Sequence, residues 1–170
     1  MRKTGIALLL FMMVNGLLTA QDYTSDVKSE DAIIKALYEV ISGDSGQVRN
    51  WDRFLFLFAK DARLIPTSAT PEGQYTYRIM TPESYTQFFG ARNPGFYEYE
   101  ISRKTEAYGT IVHIFTTYAT KYSKEGTVSN RGINSIQLLK DKDRYYILNI
   151  YWCSEQMGFP LPKKYLKKKK

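Results

Sequence analysis

Few residues in this 170-residue chain have the type and spacing to do chemistry. His113 is the only histidine. It lies in an apolar β-like run with Ile111, Phe115 and Thr117 on its own face, and a histidine there could act as a general base near neutral pH. The commoner state of such a residue is a hydrogen-bonded core or dimer-interface histidine. Glu98 and Glu100 stand two apart on a strand, so both point to one face about 6.8 Å apart, a spacing compatible with acid/base carboxylates. Tyr97, Tyr99 and Ile101 make the opposite, more apolar face. The glutamates are therefore expected toward water, or paired with Arg103 or Arg131.

Cys153, the only cysteine, reads as a small strand residue. One His and one Cys on separate strands make no ligand spacing, so no metal site is expected. Phosphate loops, zinc-protease motifs and hydrolase elbows are absent from the sequence, and no cofactor is expected. In the strand around Arg131, Asn134 and Gln137, alternation puts Asn134 with Ile136 and Leu138, and Gln137 with Ile133 and Ser135. Asn134 is thus the better polar group for the inside of an apolar pocket. On the last strand Leu148, Ile150 and Trp152 share a face. Trp51, Tyr118, Asn134 and Trp152 are the expected pocket residues, with plain core packing as the alternative for both tryptophans.

The elements that must position these residues follow from periodicity. Ser29 caps a helix with Glu30 and Asp31 in its first turn, an apolar stripe from Ile33 to Ile41, and Gly43 as its end. Asn50 caps a second helix through Ala59. Asp61 to Pro66 is a short strand, Thr67 to Gly73 a loop, and Tyr75 to Met80 another short strand. Thr81-Pro82-Glu83 starts a third helix that turns Tyr85, Phe88 and Phe89 to the core and stops at Gly90. Four β-branched and aromatic runs follow, Phe96–Glu106, Thr110–Ser123, Ser129–Lys140 and Tyr145–Cys153, joined by hairpin-length turns. Helices followed by a meander argue for an α+β fold, with two to three N-terminal helices on a curved, mainly antiparallel sheet.

Residues 1–20 read as a signal peptide: Arg2 and Lys3, an apolar run from Ile6 to Val14, and a cut between Ala20 and Gln21. The run is shorter than the roughly 20 residues of a membrane span; an uncleaved N-terminal anchor is the alternative. Export to the periplasm or beyond is the expectation, with residues 21–28 a loose polar leader, 29–162 a single domain and 163–170 a disordered lysine-rich tail. The formal charge of +7 resides in the ends. Residues 21–162 carry 16 basic against 17 acidic groups, so the domain is nearly neutral and a nucleic-acid partner is not expected. The lysine tail could touch anionic lipid or polymer, or simply be solvated.

Several pieces together resemble the nuclear-transport-factor-2-like superfamily, in its polyketide-cyclase-like (SnoaL-like) bacterial branch. They are the helix Asp31–Ile41, the step from Asn50-Trp51-Asp52-Arg53-Phe54 to Phe58-Ala59-Lys60-Asp61-Ala62, Met80-Thr81-Pro82-Glu83, Arg131 to Leu138, and Tyr145 to Trp152. The resemblance implies a cone in which helices close the wide side of a curled sheet around a pocket, and often a dimer through the outer sheet face. The catalytic carboxylate of its steroid isomerases and the His–Asp pair of its cyclases have no counterpart here: the first strand ends Leu64-Ile65-Pro66, and no motif sets an acid beside His113. The reading is an exported module binding a small apolar ligand in an aromatic-lined pocket. An interaction or dimerisation module and an acid/base enzyme of isomerase or dehydratase type are the alternatives.

Overall fold

The computed structural model describes residues 21–166. The signal-peptide reading of residues 1–20 and the end of the lysine tail, 167–170, lie outside the described residues. Helix α1 (Glu30–Ile41) begins where expected, with the Ser29 side chain accepting from the Ala32 amide. Helix α2 (Trp51–Phe56) has Asn50 as its cap but is shorter than its apolar pattern suggests. The chain leaves it at Leu57 and enters β1 (Phe58–Ala69), so β1 absorbs both the expected short strand and the start of the expected loop. After β2 (Tyr75–Tyr77), helix α3 (Pro82–Arg92) opens with a reciprocal Thr81–Ser84 capping box. It runs through Gly90 and stops at Asn93, which takes the left-handed conformation (φ 37°) that ends helices.

The remaining strands are β3 (Tyr97–Tyr108), β4 (Ile111–Lys121), β5 (Asn130–Asp141) and β6 (Arg144–Ser154). The sheet runs β2-β1-β6-β5-β4-β3, and every pair is antiparallel except β1 with β6. This is an α+β cone: α1, α2 and α3 cover the concave face, and the core lies between them and the inward residues of the sheet. Ile33, Ile34 and Leu37 of α1 meet Ile114, Ile136 and Leu138 there. Two bulges decide which residues face inward. One between Glu100 and Ser102 reverses β3, and one opposite Gln137–Leu138 turns Ile147 in and Leu148 out, correcting the face assigned to Leu148.

Both ends of the domain are tied down more firmly than their composition suggests. In place of a loose leader, Thr24–Val27 forms a 3-10 turn with Val27 buried, and Asp26 accepts two hydrogen bonds from Arg53 at 2.7 and 3.0 Å. In place of a tail disordered from Lys163, Lys163–Tyr165 forms another turn, and the Tyr165 carbonyl accepts from Ser102 and Thr117 on the convex face.

Buried Arg49 holds the helical side of the cone together. It carries no carboxylate partner among the described residues. Instead its guanidinium donates to the carbonyls of Gly43, Asp44, Gln47 and Pro94 and to the Asn93 side chain at 2.6–3.0 Å. These bonds join the end of α1 to the end of α3, and so fix α3 over the sheet.

Candidate functional site

A cavity of about 340 Å³ lies inside the cone. Its helical wall is aromatic because the apolar stripes of α2 and α3 converge there. Tyr85 stacks on Phe54 (centroids 5.4 Å apart) and on Phe89 (5.6 Å), and Phe89 meets Phe96 edge-on at 5.4 Å. Leu37 and Ile41 of α1 add an aliphatic patch, and Tyr118, Ile150 and Trp152 close the sheet side. Tyr122, Ser129, Asn130 and Gln156 complete the lining with a more polar edge.

Glu98 is the one carboxyl among the described residues that line this cavity, and no lysine or arginine lines it. The end of α1 sets its position: Ser42 Oγ accepts from the Glu98 amide at 3.0 Å while donating to the Tyr38 carbonyl at 2.6 Å. Asn134, 5% exposed on the neighbouring face of β5, donates one amide hydrogen to Glu98 Oε1 and the other to the Tyr38 hydroxyl, each at 3.2 Å. Burial pushes the Glu98 carboxyl up to about 7, and the bond from Asn134 offsets part of that rise. The hydroxyls of Tyr38, Tyr85 and Tyr118 are raised as well, first by burial and then by the nearby charge of Glu98.

Glu100, one pleat along, has the opposite surroundings. Arg103 grips both of its oxygens at 2.8 Å, and Thr116 donates to Oε1 at 2.7 Å. With the single Thr116 hydroxyl hydrogen engaged there, Tyr38 is the donor in its 3.3 Å contact with Thr116. A directed chain therefore runs from Asn134 through Tyr38 and Thr116 to Glu100. It ends on an ion pair, whereas Glu98 has only amide and hydroxyl neighbours.

Tyr118, Asn134 and Trp152 line the cavity. Three other expectations need correction. Trp51 lies behind the aromatic wall instead of in it, edge-on to Phe54 and Phe89. His113 sits on the convex face, bonded to Ser135 Oγ at 3.0 Å and edge-on to Phe115, and cannot serve the cavity. Glu98 points inward and not to water. The tyrosines that made the other face of β3 look apolar are half-solvated: Tyr99 is exposed, and the Tyr97 hydroxyl donates to Asp44. Tyr is a poor guide to the inner face of a strand because its ring buries while its hydroxyl reaches water. Glu100 does pair with Arg103; Arg131 pairs instead with Glu155. Tyr38 joins the site through Asn134, and Tyr85 through the cavity wall; their helical stripes gave no sign of a polar role.

Among the described residues, no group of three or more His, Cys, Asp or Glu side chains is placed to hold a metal ion. What the arrangement can do is accept or release one proton near neutral pH, in an apolar space with hydroxyls at hand.

No protein-family model matches the sequence, and no curated protein matches it. Solved structures do share its fold. A protein of unknown function with a cystatin-like fold from Nostoc punctiforme PCC 73102 matches at a TM-score of 0.53 and 12% identity, over 71% of this chain and 86% of that one. An NTF2-like protein from Cytophaga hutchinsonii ATCC 33406 matches at 0.52 and 12% identity, over 73% and 96%. The yeast UBP3-associated protein BRE5 matches at 0.53 and 16% identity, over 73% and 92%.

Proposed function

From a nuclear-transport-factor-2-like, cystatin-like fold with one carboxyl in its cavity, we propose that this protein is an exported module that binds a small, largely apolar molecule carrying one polar group. The observation that carries the reading is Glu98, held by Asn134 inside an aromatic-lined cavity of about 340 Å³. That volume is at the small end of ligand pockets, which run from about 300 to 1,000 Å³. A cone serving only as an assembly surface would gain stability by filling this space with side chains. Native mass spectrometry of the mature protein from its own compartment tests the reading. A reproducible extra mass, lost on denaturation and absent from an Ile150→Trp variant that fills the cavity, is the expected result. A ligand-free protein that also fails to bind small aromatic probes would overturn it.

The raised carboxyl favours a second reading, an acid/base enzyme of isomerase or dehydratase type. Glu98 would take the substrate proton, and the hydroxyls of Tyr85 or Tyr118 would stabilise the charge that develops. Comparing wild type with Glu98→Gln separates the two readings, because an enzyme converts its ligand only in the wild type whereas a binding module releases it unchanged from both. Pairing of two copies through the convex sheet face is part of the proposal for either reading.

A further inference from the structure

The polar atoms that the cavity leaves open say what kind of group a ligand must present. Asn134 has both amide hydrogens engaged, on Glu98 and on Tyr38. Among the described residues nothing hydrogen-bonds to its Oδ1 or to Glu98 Oε2, and neither atom is sealed off in the core. With Glu98 ionised both are acceptors, and the group that completes them is a donor. A ligand carbonyl set against them would face lone pairs with lone pairs. The hydroxyls of Tyr85 and Tyr118 are the donors near Glu98, and both are close enough to feel its charge.

Charge points the same way. Glu98 is the one charged residue among the described lining residues, while Glu100, beside it on β3, has Arg103 on both oxygens. Among the described residues no cation bonds Glu98: Lys35 and Arg103, which border a second cleft on its α1 side, are paired with Glu39 and with Glu100 and Asp31. Tyr38 faces Glu98 from α1, Tyr85 from α3, Tyr118 from β4 and Asn134 from β5; Arg49 lies beyond Tyr85 with its hydrogens on backbone carbonyls. Tyr85, Phe89, Phe96, Tyr118 and Trp152 line the same cavity. Aromatic walls with one unpaired acid at the end suit an organic cation, which gains from the ring faces as well as from the carboxylate.

Resting on the ligand-binding reading above, we propose that the cavity takes a small hydrophobic primary amine as its ammonium ion. The nitrogen sits between Glu98 Oε2 and Asn134 Oδ1, and the carbon frame lies against the Tyr85–Phe89 wall. The proposal makes binding depend on the ionisation of Glu98. The carboxyl titrates near 7, so its ionised fraction rises from about one-tenth at pH 6 to nine-tenths at pH 8. An aliphatic amine, with an ordinary pKa of about 10, stays protonated throughout.

Calorimetric titration of the wild-type protein at pH 6, 7 and 8 tests this with two probes of one shape, 2-aminotetralin and 2-tetralone. The amine is expected to bind about tenfold more tightly at pH 8 than at pH 6, and more tightly than the ketone at pH 8. In Glu98→Gln, checked for folding by its thermal melt, the amine is expected to weaken and lose its pH dependence while the ketone is unaffected. The wild-type comparison is decisive even if the variant does not fold. A ketone that binds best at pH 6, with an amine that binds weakly or without pH dependence, would overturn the amine proposal and leave the pocket standing. Failure of both probes at every pH would overturn the amine proposal and count against the pocket itself.

Discussion

On the concave face of the sheet, Glu98 and Asn134 sit among aromatic rings with every neighbour a protein atom or the cavity. On the convex face, His113 and Ser135 make an equally good hydrogen bond, and Gln137 accepts one from Asn149 at 2.7 Å, with solvent at hand. The same strands supply both sets: β5 alone contributes Asn134 inward and Ser135 and Gln137 outward. The residue with the most suggestive chemistry, the lone histidine, lies on the solvated side and is spectator to the cavity. A glutamate of ordinary type acquires an unusual acidity by position alone, because removing water from a carboxylate is costly and an amide donor restores only part of the loss. Chemistry in this fold follows from which side of the pleat a residue occupies.

The sharpest way to test that contrast is to enlarge a side chain on each face. Gly132 pairs with Tyr118 across β4–β5, and the absence of a side chain there lets the Tyr118 ring lie over it; an added Cβ would collide with the Tyr118 hydroxyl and the Cys153 carbonyl. Gly132→Val is expected to cost more than about 3 kcal/mol by denaturant unfolding and to push Tyr118 into the cavity. Ser135→Thr on the convex face should change stability by no more than about 0.5 kcal/mol. Comparable losses from both would mean that the convex face is as closely packed as the concave one.

Next in size is Asn134→Leu. It leaves the Tyr38 hydroxyl and Glu98 without their shared donor, a loss of about 2–3 kcal/mol for a buried pair of bonds. It should also raise the Glu98 pKa further, since the amide is what holds it down. Gln137→Leu, which breaks the exposed bond to Asn149, is expected within about 0.5 kcal/mol of wild type. Carboxyl titration followed by NMR, alongside unfolding, reads both effects.

Glu98→Gln is expected to be stabilising, and the size of the gain depends on pH. Below about 4.5, the ordinary glutamate value, Glu98 is protonated whether the chain is folded or not, and no difference arises. Between about 4.5 and 7 the unfolded chain ionises while the folded one keeps its proton, so wild-type stability falls as pH rises. Above 7 the penalty is complete. A rise from 4.5 to about 7 corresponds to at most about 3 kcal/mol, and partial exposure of the carboxyl reduces that to about 2. Unfolding of both proteins at pH 4 and pH 8 isolates the effect, because all other carboxylates are common to the pair. A difference independent of pH would mean that Glu98 is solvated like the convex residues.

Much of this arrangement was legible in the sequence where a single local rule governs. Ser29, Asn50 and Thr81 mark helix starts because a side-chain oxygen must satisfy an amide there, and all three do so. Asn134 was placed inside because its strand alternates cleanly. Where two rules competed, pattern misled. The apolar run through Phe58 looks helical, but its residues also suit a strand flanked by β6, and tertiary pairing begins β1 there. Gly90 looks like a stop, yet it lets α3 pack against the Trp51 indole, 3.3 Å from where a Cβ would stand. Phe88 looked like core but is exposed, with Arg92 4.1 Å over its ring. Bulges are the deepest obstacle. Nothing local announces the extra residue at Ile101 or the shift opposite Leu138, and each changes the face of every residue beyond it.

The last variant tests the convex side directly. His113 loses one half-solvated hydrogen bond and one edge contact in His113→Ala, and Ser135 can turn to water. Stability should fall by about 0.5–1 kcal/mol, and binding at the concave cavity should not move at any pH between 6 and 8. Set beside Glu98→Gln, this variant also identifies the group responsible for any pH dependence of binding. If the pH dependence of ligand binding survives in His113→Ala and vanishes in Glu98→Gln, the titrating group is the buried carboxyl. If the reverse holds, the convex face is coupled to the cavity through the sheet, and the division between the two faces is not a functional one.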